Sequence, residues 1–126
     1  PVNHRETFTG ITDDDRALTI RRLAAAASTA RTPDSDYDAS DFAADFRTPG
    51  HVYVLRGAPD LLADRRGHTE LGLALADAAD LPPAVVVCEM LDAESGGART
   101  PTAALEYARR NDLVYVEGAD ILEHLG

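Results

Sequence analysis

The stretch Arg65-Arg66-Gly67-His68-Thr69-Glu70 gathers two guanidinium groups, an imidazole, a hydroxyl and a carboxylate around one glycine. A glycine lets the backbone approach a ligand closely. A helix starting just behind it offers unpaired N–H groups and the positive end of its dipole, which together seat an anion. Arg65 can grip a phosphate through two parallel bonds. His68 has the chemistry of a metal ligand or an acid/base group. The same six residues also read as a loop and helix start with solvated arginines, and the pattern alone does not separate the two readings. A second Gly-His pair, Gly50-His51, sits in Arg47-Thr48-Pro49-Gly50-His51-Val52, again close behind an arginine.

Glu89 closes the apolar run Ala84-Val85-Val86-Val87-Cys88. A carboxylate at the end of a buried strand lies where open α/β sheets bind their ligands. Burial there would tune it for proton transfer, and a glutamate merely emerging at the sheet edge is the plainer alternative. Cys88 reads as core filler. Thr7 to Thr12 supply three hydroxyls and a glycine ahead of a helix, the outline of a phosphate cradle. His4 and His124 read as surface residues. His-Thr-Glu followed by proline and cysteine faintly echoes the zinc deaminase signature, but that needs a Pro-Cys-x-x-Cys pair, and Cys88 is the single cysteine.

Positioning these groups requires helices and strands. Residues 1–12 read as an extended lead-in. Asp13 to Asp15 favour a helix N-terminus, and Ile20, Leu23, Ala24 and Ala27 recur at helical spacing. Residues 29–41 form an acidic, Pro-containing loop, and a short helical turn follows with Phe42 and Phe46 on one face. Pro49-Gly50 is a break before a strand at 51–55. Residues 58–67 are a loop or single turn, and 69–80 a second helix stopped by Pro82-Pro83. Residues 84–90 read as a buried strand because the run is continuously apolar. Thr100 and Pro101 are cap and first position of a helix over 101–111, followed by a strand at 113–118 and a helix at 119–125. The order predicts an α/β domain, helices packed on a mixed sheet in a three-layer α-β-α sandwich, here incomplete on its N-terminal side.

The chain has 126 residues, enough for one domain or part of one, and 44% hydrophobic residues. No apolar run is long enough to span a membrane, and the polar opening Pro1–Gly10 lacks the apolar core of a signal peptide, so a cytoplasmic location is expected. Twenty-two acidic residues face twelve basic ones, all arginine, for a net charge of -10. That balance argues against nucleic-acid binding. It fits the acidic surfaces of salt-loving archaea; a GC-rich genome that encodes arginine for lysine is the alternative.

Taken together, Thr7–Ile20, Arg47–Arg56, Arg65–Met90 and Ala98–Val116 resemble, in order and spacing, the 3,4-dihydroxy-2-butanone 4-phosphate synthases, and their wording resembles the archaeal branch. The resemblance implies a lyase that converts D-ribulose 5-phosphate to L-3,4-dihydroxy-2-butanone 4-phosphate and formate for riboflavin biosynthesis. It implies magnesium, or manganese in its place, and a homodimer with active sites at the interface. Residue by residue, it implies that Arg65, Gly67, His68 and Thr69 hold the substrate, with Arg65 on the phosphate and His68 as a metal ligand. Glu89 would contact substrate and move protons, His51 would be the second acid/base or orienting residue, and Thr9 and Thr12 would help bind phosphate. The family's chain is longer, and its N-terminal half carries an acidic loop with a further metal carboxylate. Residues 1–126 therefore read as the C-terminal part of one synthase domain: a fragment, a mis-assigned start or one piece of a split gene, inactive alone. A non-catalytic sugar-phosphate-binding or assembly module derived from the synthase is the alternative. A domain fused to GTP cyclohydrolase II is a weaker one.

Overall fold

A computed structural model describes residues 1–126. In chain order the elements are β1 (Val2–His4), α1 (Asp13–Arg31), α2 (Ala39–Asp45), β2 (Phe46–Val52), a 3-10 turn (Leu61–Ala63), α3 (His68–Ala78), α4 (Pro101–Arg110) and α5 (Gly118–Leu125). The close packings fall into two groups. β1, β2, α1 and α2 pack together, and α3 packs with the 3-10 turn and α5.

The first group is built from residues 1–52. Thr12 caps α1 by accepting from the Asp15 N–H, and three aspartates occupy the first turn, as the sequence predicts. Asp38 and Asp41 form a capping box that starts α2. β1 and β2 pair antiparallel, with Val2 opposite Val52, Asn3 opposite Arg47 and His4 opposite Phe46. Moving one residue along β1, from Val2 to Asn3, moves five along β2. Thr48-Pro49-Gly50-His51 therefore loop out of the ladder as an extended bulge. This differs from the expected strand at 51–55, which begins earlier and ends at Val52, because the lead-in supplies a partner for 46–52 and none for 53–55. Phe46 is buried, stacks on Phe42 at 4.5 Å and meets the edge of the His4 ring at 5.5 Å. His4, expected at the surface, is also buried, with its N–H donating to the Thr19 hydroxyl at 3.1 Å.

In residues 53–126, Leu62, Ala74 and Ile121 form a small core, with Leu71 and Leu122 packed against it. α4 starts at the predicted Thr100 cap and Pro101. The expected strands at 84–90 and 113–118 are not paired. Backbone bonds reach their ends: the Met90 carbonyl accepts the Arg99 N–H at 2.8 Å, next to a bridge between Leu91 and Ala98, and the Leu113 N–H donates to the Ala108 carbonyl at 2.9 Å. Their side chains face outward: Val86 is 71% exposed, Val114 91%, and Tyr53 in the third such stretch 79%. Cys88, expected in the core, is exposed with them. A strand exists only where another backbone takes up its N–H and C=O groups, and no ladder forms along either stretch. Helices and a two-stranded sheet thus give an α/β chain whose apolar runs lie open. No helix is long and apolar enough to cross a membrane.

Candidate active site at two Gly-His corners

The first corner is the bulge in β2. Gly50 lies against the Val2 and Asn3 backbone, and a Cβ there would overlap it, so only glycine allows the bulge to close. The Asn3 side chain plugs the bulge. It is buried, accepts from the His51 N–H at 2.8 Å and lies 3.1 Å from His51 Nδ1. Its amide also reaches the Thr9 carbonyl at 3.5 Å. Gly10 sits under that amide at a φ of +81°, in space that any side chain would contest. The Arg47 guanidinium donates to the Thr7 and Phe8 carbonyls at 3.3 and 3.2 Å, tying β2 to the same loop. The His51 ring itself is exposed.

The cradle outlined by Thr7–Thr12 already holds an anion of this chain. The Asp15 carboxylate accepts the Gly10 N–H at 2.7 Å, the Thr9 N–H at 3.0 Å and the Phe8 N–H at 3.3 Å, and the Thr9 hydroxyl adds a fourth bond. The Gly10 N–H above all, with those of Phe8 and Thr9, holds the Asp15 carboxyl below the usual carboxylate range against the opposing effect of burial. The Thr12 hydroxyl is committed to the helix cap. The sequence signal for Asp15 is the Thr12-x-x-Asp15 spacing of a capping box, here redirected from the cap to the loop before it.

The second corner is the start of α3. Gly67 is its N-cap and offers no capping side chain, so the first-turn N–H groups lie beside His68 and Thr69 with no side-chain acceptor at the cap. His68 is exposed and Thr69 half-buried. Sequence reasoning missed Glu70, which is expected to point along its helix but is 1% exposed. Its carboxylate accepts the Ala58 N–H at 3.1 Å and the Arg65 guanidinium at 2.8 Å. Burial opposes its ionisation most strongly, yet the Ala58 N–H, its own N–H and Arg65 together outweigh that and lower its pKa. A Cβ at Gly67 would crowd both partners of this pair. Arg65 is thus anchored at one end of its fork, with most of its side chain still exposed. A cleft between the 3-10 turn, α3 and α5 lies elsewhere and holds none of the predicted site residues.

Glu89 lies on the open stretch 84–90 and is exposed, with no side-chain partner on its carboxylate. Nowhere do three His, Cys, Asp or Glu side chains converge as a metal group would require. His68 alone does not make a seat for a hard divalent cation, which takes several oxygen ligands. The residues of this chain do not fit the implied ion as a set.

An α/β chain with two Gly-His corners and unpaired apolar strands has clear relatives. The family model of 3,4-dihydroxy-2-butanone 4-phosphate synthase matches residues 1–124. The synthase of Archaeoglobus fulgidus is 50% identical over 98% of this chain and 50% of its own length. That of Methanosarcina mazei is 47% identical over 97% of this chain and 48% of its own. A crystal structure of the Candida albicans synthase superposes with a TM-score of 0.79 and 33% identity, covering 99% of this chain and 58% of that one. The chain belongs to the 3,4-dihydroxy-2-butanone 4-phosphate synthase family. It spans about half the length of the curated relatives it matches.

Proposed function

We propose that residues 1–126 act as one half of a synthase domain that converts D-ribulose 5-phosphate to L-3,4-dihydroxy-2-butanone 4-phosphate and formate in riboflavin biosynthesis. The observation that carries this reading is the family match over residues 1–124, with Arg65, His68, Glu89 and both Gly-His corners in place. In this reading Arg65, held by Glu70 on one side, turns the free side of its fork to the sugar phosphate. Gly67, His68 and Thr69 line that seat, while Thr9 and Thr12, expected to help bind phosphate, engage Asp15 and the α1 cap. Glu89 takes and returns protons during enolisation, and His51 is the second acid/base group. The magnesium or manganese ion draws one ligand, His68, from this chain, and its carboxylate ligands come from the other half of the domain. In the completed domain the stretches 52–56, 84–90 and 113–117 become strands of a three-layer α-β-α sandwich, and the working protein is a cytoplasmic homodimer.

The test is to assay formate release from D-ribulose 5-phosphate, with magnesium and in high salt. The 126-residue chain is assayed alone and in a polypeptide carrying the complete family domain. Activity only in the complete domain is expected. Turnover by the chain alone would show that its residues suffice and would overturn the placement of the metal ligands. Binding of ribulose 5-phosphate without formate from the complete domain would favour the non-catalytic module.

A further inference from the structure

We propose that Asn3 is a positioning residue that fixes His51 as the Nε2–H tautomer, so that the exposed side of the ring presents a hydrogen-bond donor rather than an acceptor. The inference rests on the proposed role of His51 in catalysis but is derived from geometry that does not depend on it. The His51 backbone N–H can only donate, so the Asn3 atom 2.8 Å away is the carbonyl oxygen. The other end of the amide, Nδ2, then faces the His51 ring nitrogen Nδ1 at 3.1 Å and must donate to it. The Thr9 carbonyl, which can only accept, lies 3.5 Å from that same Nδ2 and requires the same amide orientation. Nδ1 therefore keeps its lone pair, and the proton of the neutral ring sits on Nε2, which points away from Asn3. Which nitrogen of a histidine carries the proton is set in this way by the bond the other one makes.

Three further features hold the amide in place. Asn3 is 3% exposed, so it does not exchange its partners for water. It is paired with Arg47 in the ladder, at the point where the bulge opens. It lies over Gly10, where any larger residue would displace it. Asparagine is specific to the task. An aspartate of the same shape would still accept the His51 N–H, but its second oxygen would face Nδ1 and demand a proton there. The ring would then turn to the Nδ1–H tautomer and offer an acceptor outward. For a group that must give a proton to a developing oxyanion or hydroxyl, the two tautomers are not interchangeable.

The experiment labels histidine with 15N in the protein carrying the complete domain and reads the two ring nitrogens of His51 by long-range 1H–15N correlation, with His51→Gln identifying the signals. The parent is expected to show an unprotonated Nδ1 and a protonated Nε2 at neutral pH. Asn3→Asp is expected to exchange them and to lower kcat by about a hundredfold, with KM nearly unchanged. A protonated Nδ1 in the parent overturns the proposal and requires no variant. An unchanged pattern in a folded Asn3→Asp protein also overturns it. If the parent releases no formate yet shows the expected tautomer, the proposed function fails and the positioning role stands.

Discussion

Residues 1–52 and residues 53–126 handle their backbone in opposite ways. In the first region the one short strand at the N-terminus finds its partner, and the buried polar groups Asn3, His4, Thr7 and Thr19 all bond within the region. In the second, three helices form on local signals, while three apolar stretches have no strand partner and present valine, leucine and tyrosine to solvent. Caps and helical ladders close within a few residues, so a helix forms without partners distant in sequence. A sheet is a joint property of strands distant in sequence, and its central members lose their partners together. The site is divided in the same way. His51 sits in the self-sufficient region, and Arg65, His68 and Glu89 sit in the open one.

The largest effect is expected in the open region. Glu89→Gln in the complete protein should lower formate release by about a hundred- to ten-thousand-fold, with ribulose 5-phosphate affinity within about tenfold, because an amide cannot carry the proton. Formate at the parent rate would mean that the open region does not hold the acid/base group. Next comes the closed region. Phe46→Ala should cost about 3–5 kcal/mol in urea unfolding, since Phe46 joins α2, β2 and the His4 ring. A loss below about 1 kcal/mol would show that residues 1–52 are no better packed than the rest. Arg65→Lys should weaken ribulose 5-phosphate binding about tenfold, because a single ammonium nitrogen cannot reproduce the fixed fork that reaches Glu70 and phosphate from separate nitrogens. Unchanged affinity in a titration would leave Arg65 as a partner of Glu70 alone.

Asp15 offers a pH-dependent test of the closed region. Its folded carboxyl titrates below the ordinary value of 3.8. Its contribution to stability is therefore complete above that value and is lost as pH falls through the lower folded one. Asp15→Asn should flatten the acid limb of the stability curve in that window, and superimposable acid limbs would refute the cradle. The smallest effect is expected at Val114, 91% exposed. Val114→Ser should change the stability of the 126-residue chain by less than about 0.5 kcal/mol yet destabilise the complete domain. An equal effect in both would mean that the stretch 113–117 is not covered there.

How much of this was legible in the sequence follows from the range of each interaction. α1, α4 and the start of α3 are written in neighbouring residues: Thr12 and three aspartates, Thr100 with Pro101, Gly67 before His68. The apolar runs at 84–90 and 113–118 read as strands, but the structure leaves them unpaired, because whether such a segment pairs depends on a partner that lies outside it. Asn3, Glu70 and Asp15 were not legible as site builders. Asn3 meets His51 across 48 positions, Glu70 turns inward to a loop twelve residues back, and Asp15 reaches past its own cap. Composition marks Asn3 and Glu70 only as polar residues, and the Thr12-x-x-Asp15 spacing marks Asp15 as part of a cap. The Gly-His corners were visible because glycine and histidine advertise their chemistry individually, and their surroundings were not.

A single hydrogen bond joins the two regions: Arg31 at the end of α1 donates to Asp77 on α3 at 2.7 Å, with both side chains more than half exposed. An exposed pair of this kind is worth little and is screened within about 3 Å in molar salt. The pair links the region that carries His51 to the region that carries His68, and salt weakens that link. In brine, where a charge of -10 would otherwise push such a body apart least, the rivet is also at its weakest. An apolar grip on the stretches 53–55, 84–90 and 113–117 would strengthen as kosmotropic salt rises, while the hold of the ion pair fades.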